Sequence, residues 1–206
     1  MDKAEDWLKK SIQIKAYADT YRELAFIYLV NGRNQEALKL IPLLIGIDSS
    51  NTRNYESAGL IALMSGNNVL SRKYFQKSIE LNKSIATDVS AFAPIGLGMY
   101  LMKENKKEDA EIFLSRSLSL NLDYIKNKKS QDDDDRIHIS SIYAIQGEKK
   151  KSLEWLQKAI DVNWVDVELV EKNPWFDNIK KEPKYKEMIK LVKEKVAEMR
   201  IKAEEY

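Results

Sequence analysis

Small and large apolar positions recur along this chain at a fixed distance. Between residues 21 and 41 they fall at Tyr21, Leu24, Ala25, Tyr28, Gly32, Ala37 and Ile41. Thirty-four residues later come Tyr55, Ala58, Gly59, Ala62, Gly66, Ser71 and Phe75. Steps of three and four put each run on one face of a helix, and the glycine between two runs predicts a turn. Self-similarity at this period predicts an array of helix–turn–helix units.

The choice of side chains has a packing logic. Two antiparallel helices approach closely only where small residues lie at the crossing and large ones fill the space around it. Ala25, Gly59, Gly98 and Ser140 supply the small residue in the first helix of four successive units. Tyr28, Ala62, Leu101 and Tyr143 follow three positions later on the same face. Gly32, Gly66, Asn105 and Gly147 then suit a left-handed turn that ends the helix. In the second helix Ala37, Ser71, Ala110 and Ser152 are small, and Ile41, Phe75, Leu114 and Leu156 are bulky four residues on.

At these positions the chain resembles the tetratricopeptide repeat family over roughly residues 18–164. Leu24–Ala25 and Leu97–Gly98 fit the family's central Leu-small pair, while the terminal proline of the family pattern is absent and the third unit begins late, after Asn82–Asp88. The resemblance implies an all-α, right-handed superhelical solenoid of antiparallel helix pairs. Its units are expected at about 18–51, 52–85, 86–122 and 132–164. It also implies a concave groove, lined by the first helices, that binds a protein or peptide. Counting from the small residue, the expected groove residues are Arg22, Phe26, Val30, Leu60, Met64, Phe92, Ile95, Met99, Met102, His138 and Ser141. The family's carboxylate clamp needs Lys and Asn here. Phe26 stands in the Asn slot and only Arg22 keeps the charge, so no clamp is expected. What remains is an apolar trough, with Phe26, Leu60 and Met99 on one line and Met64 and Met102 beside it. It suits an apolar helix or an extended apolar segment. The alternative is that the superhelix or the chain's own tail covers these residues.

The two ends differ. Residues 1–17 read as a half unit, because Ala4, Leu8, Ser11 and Ile12 repeat the spacing of Ala37, Ile41, Leu44 and Ile45. Either this helix is a native cap, or Met1 begins a segment cut from a longer protein; Trp7 and Leu8 are poor residues for the exposed face of a cap and favour the second. Residues 165–206 read as a helical cap and a long charged helix. Pro174 and Pro183 each begin a helical turn, and Trp164, Trp175 and Phe176 are expected to plug the last unit. This closing segment resembles that of bacterial multi-domain regulators with tetratricopeptide repeats. From Tyr185 to Tyr206 the spacing alternates four and three, a short heptad seam that offers homodimerisation as a further partner mode.

Composition narrows the function classes. The 206 residues carry 7 Gly, 4 Pro and 32% charged residues, with 34 basic against 32 acidic side chains. That balance gives no field favouring nucleic acid or an anionic membrane. There is no cysteine, hence no disulfide or thiol chemistry. Met1 is followed by Asp2 and Glu5, not by a basic and then apolar leader, so a cytoplasmic location is expected. His138 is the single histidine and has no nucleophile or second ligand in sequence reach, so catalysis is not expected. Asp132–Asp135 lacks the alternating ligands and turn glycine of a calcium loop, and with Lys126–Lys129 it reads as a solvated loop and helix start. No glycine-rich phosphate motif occurs, and neither a cofactor nor a metal is expected. The expected function is a non-catalytic protein-interaction scaffold within a larger bacterial regulatory protein. The alternatives are a dimerisation module acting through the C-terminal helix, and a small enzyme or receptor in the trough.

Overall fold

In the computed structural model, residues 3–85, 92–127 and 134–204 are described. Among them the chain is helical and has no strand. The helices are α1 (Lys3–Ile14), α2 (Ala18–Val30), α3 (Asn34–Ile47), α4 (Thr52–Met64), α5 (Asn68–Ile85), α6 (Phe92–Lys103), α7 (Lys107–Lys126), α8 (Asp134–Ile145), α9 (Lys149–Asp161), α10 (Val167–Lys172) and α11 (Pro183–Glu204). A 3₁₀ turn at Pro174–Phe176 precedes the last of these. The late start of the third unit around Asn82–Asp88, the basic run at Lys126–Lys129 and the acidic run at Asp132–Asp135 lie partly outside the described residues. The chain forms two compact units, Met1–Tyr100 and Leu101–Tyr206.

The turns follow from local chemistry. Gly32, Gly66, Asn105 and Gly147 all have positive φ. The N–H of the next residue (Arg33, Asn67, Lys106 and Glu148) donates to the carbonyls of Tyr28, Ala62, Leu101 and Tyr143 at 2.8–2.9 Å. This is the paired closing bond that satisfies a helix's last carbonyls. Asn163, which the repeat pattern does not single out, makes a fifth such turn with φ of 71°, and Trp164 N–H closes it on Ala159 at 3.1 Å.

In the first unit α1 packs on α2, α2 on α3 and α4, and α4 on α5. Leu24, Ala25, Tyr28, Ala37, Ile41, Leu44, Ala58, Ile61 and Ala62 form its core. The Phe75 ring fits between two glycines: a Cβ on Gly59 would stand 2.5 Å from the ring, and a Cβ on Gly96 would clash with its other edge. A second link is ionic. Glu5 on α1 is buried and meets Lys9 and the Arg33 guanidinium, each at 2.6 Å. Those two hydrogen bonds hold its carboxyl below the usual range, and Arg33 also stacks 4.2 Å over Tyr28. Pro42 sits inside α3 without ending it, at an exposed position.

In the second unit α8 packs on α7 and α9. Ser140 and Ser152 each donate to the other's backbone carbonyl at 2.8 Å, a two-way bond available only to small hydroxyl residues at a close crossing. Trp164, Trp175 and Phe176 are buried, as a plug requires. The 3₁₀ turn that carries Trp175 and Phe176 packs on α8, the first helix of the last pair, while α9 is met by α11. Asn178 fixes that seat by donating to the last-turn carbonyl of Ala144 at 2.8 Å. Asn173 caps the turn through the Trp175 N–H, and Pro174 and Pro183 stand at helix starts. Along α11, Tyr185, Met188, Ile189 and Val192 are buried, whereas Met199 and Ile201 are exposed.

Candidate interaction site

Along α2 and α4, polar and apolar groups lie side by side. Arg22 donates from Nε to Ser57 Oγ at 2.7 Å and pairs with Asp19, and Ser57 also donates to the Arg53 carbonyl at 2.9 Å. Glu56, only 7% exposed, accepts the Ala93 N–H at 3.2 Å at the start of α6. Burial pushes its carboxyl up to about 7, opposed by the amides of Ala93 and Phe92 and by Arg53 and Arg22. A carboxyl lent by one helix to the orphan amides of another both satisfies them and complements the helix dipole.

Beside this lattice, Phe26, Val30, Leu60, Met64 and Phe92 are half-buried. Arg22 is buried, but its cationic head is engaged by Asp19 and Ser57. Ile95 and Met99, expected on the open trough, are buried, Met99 to 3% exposure. The reason is composition: every residue from Ala93 to Tyr100 on α6 is buried, so that helix has no polar side to turn outward. Met99 is a core residue.

Of the groove residues expected in the second unit, Met102 is half-buried, whereas His138 and Ser141 are buried. His138 Nδ1 lies 3.1 Å from Asn121 Oδ1, and Asn121 donates to the Ser117 carbonyl at 2.7 Å. Because an amide oxygen only accepts, this ring nitrogen carries the proton. Burial lowers the imidazole to about 4, so it is neutral and serves as a polar bolt between α7 and α8. Ser141 donates to the His138 carbonyl at 2.8 Å. Both side chains are occupied inside the helix pair, which removes them from a contact surface.

The bond from Glu56 to the start of α6 and the contact of Asn121 with His138 are not among the contacts expected from the sequence. No local signal marks either, since their partners lie far along the chain. Among the described residues, no group of three or more His, Cys, Asp or Glu side chains could hold a metal, and no helix is long and apolar enough to cross a membrane.

Comparison with known proteins agrees with the helical fold. Residues 136–163 match the tetratricopeptide repeat model. Among solved structures, the chain is similar to TTC0263, a thermophilic TPR protein of Thermus thermophilus, at TM-score 0.53 and 14% identity, covering 84% of this chain and 88% of that one. It is also similar to yeast Tom70, at TM-score 0.50 and 21% identity, covering 84% of this chain and 36% of that one. No curated protein matches the sequence. With the matched repeat, the helix pairs closed by left-handed turns and the small residues at their crossings, the chain carries a tetratricopeptide repeat at residues 136–163 and shares the helical fold of tetratricopeptide-repeat structures.

Proposed function

We propose that this protein is a non-catalytic interaction scaffold that takes an apolar helix or extended apolar segment of a partner protein on α2 and α4. The observation that carries the reading is that Phe26, Val30, Leu60 and Met64 on α2 and α4 stay half-buried, beside a polar lattice in which Arg22 is already paired with Asp19 and Ser57. Such a surface gains by losing water from its apolar groups, and the lattice holds the helices in place without competing for the ligand. Phe92 and Met102 extend the candidate surface, each within its own unit. The Pro-punctuated closing segment supports a place within a larger regulatory polypeptide.

A peptide-display selection against the full chain tests this. Selected peptides should carry apolar residues at helical or alternating spacing, and Leu60→Glu should weaken their binding about tenfold or more, because a charge forced into an apolar contact is costly. A second reading, self-association through α11, is favoured by its exposed Leu191, Met199 and Ile201. Sedimentation of the chain with and without residues 191–206 separates the two.

A further inference from the structure

In the second unit α10 packs on α11, and a cleft of about 470 Å³ lies between the end of α10, the turn at Lys180 and the start of α11. That volume is in the range of small-molecule sites. Its rim is basic, with Lys180, Lys186, Lys190 and Lys193 set against two acids, Glu171 and Glu194. Tyr185 and Ile189 line it from below and are 4% and 5% exposed. Lysine stems add apolar wall while their ammonium groups stay in water.

The existing pairs leave this positive charge available. Lys193 meets Glu171 at 2.6 Å, Lys180 meets Asp177 at 2.8 Å and Lys190 meets Glu194 at 3.7 Å. All three pairs are at least partly exposed to water, where an ion pair contributes little and its members change partners readily. Lys186 is exposed and makes no ion pair among the described residues. The Tyr185 hydroxyl is buried and meets no hydrogen-bond partner among the described residues. A buried hydroxyl ordinarily has such a partner, and a ligand oxygen in this cleft can supply the acceptor. Tyr185 and Lys186 also stand in the first turn of α11, where the helix dipole favours negative charge.

We infer that this cleft binds a phosphate monoester, its dianion held by the lysines and the Tyr185 hydroxyl and its apolar body lying against Ile189 and the lysine stems. The charge balance sets the ligand class. Four lysines against two glutamates leave an excess of two positive charges, which a phosphate monoester near neutral pH matches and a lone carboxylate does not. Lysine suits this ligand, because a flexible stem brings a point charge with three donors to phosphate oxygens. The cleft lies within the second unit, whereas the proposed partner surface is on α2 and α4 of the first, so either can fail without the other.

The probe is phenyl phosphate, titrated into the full chain at constant ionic strength while backbone amide resonances are followed. Binding is expected to saturate at one per chain, with shifts centred on residues 180–194, and inorganic phosphate should bind about tenfold more weakly for want of an apolar body. Lys186→Gln combined with Lys190→Gln should weaken phenyl phosphate about tenfold. Both side chains are exposed, so the thermal melt should match the parent. Tyr185→Phe keeps the ring and removes only the hydroxyl, so it should leave the melt unchanged and weaken binding about fivefold. Absence of saturation, shifts spread over the lysines of other helices, equal affinity for inorganic phosphate, or binding indifferent to both variants overturns the inference.

Discussion

Phe75 and Gly59 are in such close register that a methyl group on the glycine would stand 2.5 Å from the ring, while Gly96 closes the ring's opposite edge. The ring therefore cannot retreat from a side chain at Gly59. Alanine in place of a mid-helix glycine normally gains about 1 kcal/mol of helix propensity. Overpacking here costs roughly 1–3 kcal/mol and should win. Gly59→Ala is expected to destabilise the protein in denaturant melts, and Gly59→Leu more so. Gly46 in α3 has nothing within 4 Å of its would-be Cβ, so Gly46→Ala should stabilise by about 0.5–1 kcal/mol. Equal effects at the two glycines would contradict the crossing.

Glu56 sets a pH dependence of stability with an unusual sign. Its folded value of about 7 lies above the ordinary 4.5. Between those values the folded chain keeps a proton that the unfolded chain has lost, so stability falls as pH rises from about 4.5 through about 7. The full loss is on the order of 3 kcal/mol. Glu56→Gln should remove that slope while keeping an acceptor for the Ala93 N–H. Chemical melts at pH 5 and pH 8 measure the difference, and parallel profiles for parent and variant would refute it.

His138 gives the opposite slope. Its folded value of about 4 lies below the ordinary 6.5, so its contribution is complete above about 6.5 and is lost as pH falls through about 4. Because it is the single histidine, its ring proton resonance reads the site without assignment. That resonance should stay at its neutral position from pH 8 to pH 5. A midpoint near the ordinary value would show an exposed ring.

Some of this is legible in the sequence and some is not, for a physical reason. Left-handed turns at Gly32, Gly66, Asn105 and Gly147 are local, so residue type and spacing reveal them. The small residues at crossings are likewise written one per unit, and Gly59 meets Phe75 as the pattern requires. Met99 reads as open because its position in the repeat faces inward. Its burial depends on α6 being apolar on all sides, a property of the whole helix and not of one position. The bond from Glu56 to Ala93 and the seat of Asn178 on Ala144 join residues a full unit apart. Single-residue patterns carry no trace of such pairs.

The closing segment should hold the second unit together. Phe176 is fully buried in the 3₁₀ turn that packs on α8. Phe176→Ala is expected to cost about 3–5 kcal/mol and to raise amide exchange in α8 and α9 well before α2 and α3, since repeat units depend mainly on their neighbours. A uniform rise along the chain would deny the segment its capping role.

The interaction we propose is that α2 and α4 take an apolar segment of a partner. Its most direct test is the dissociation constant of a display-selected peptide for the parent chain and for Leu60→Glu, with the thermal melt of both recorded. Leu60 is only half-buried, so the variant should stay folded while its affinity falls about tenfold or more. An unchanged dissociation constant in a folded Leu60→Glu variant would contradict the account.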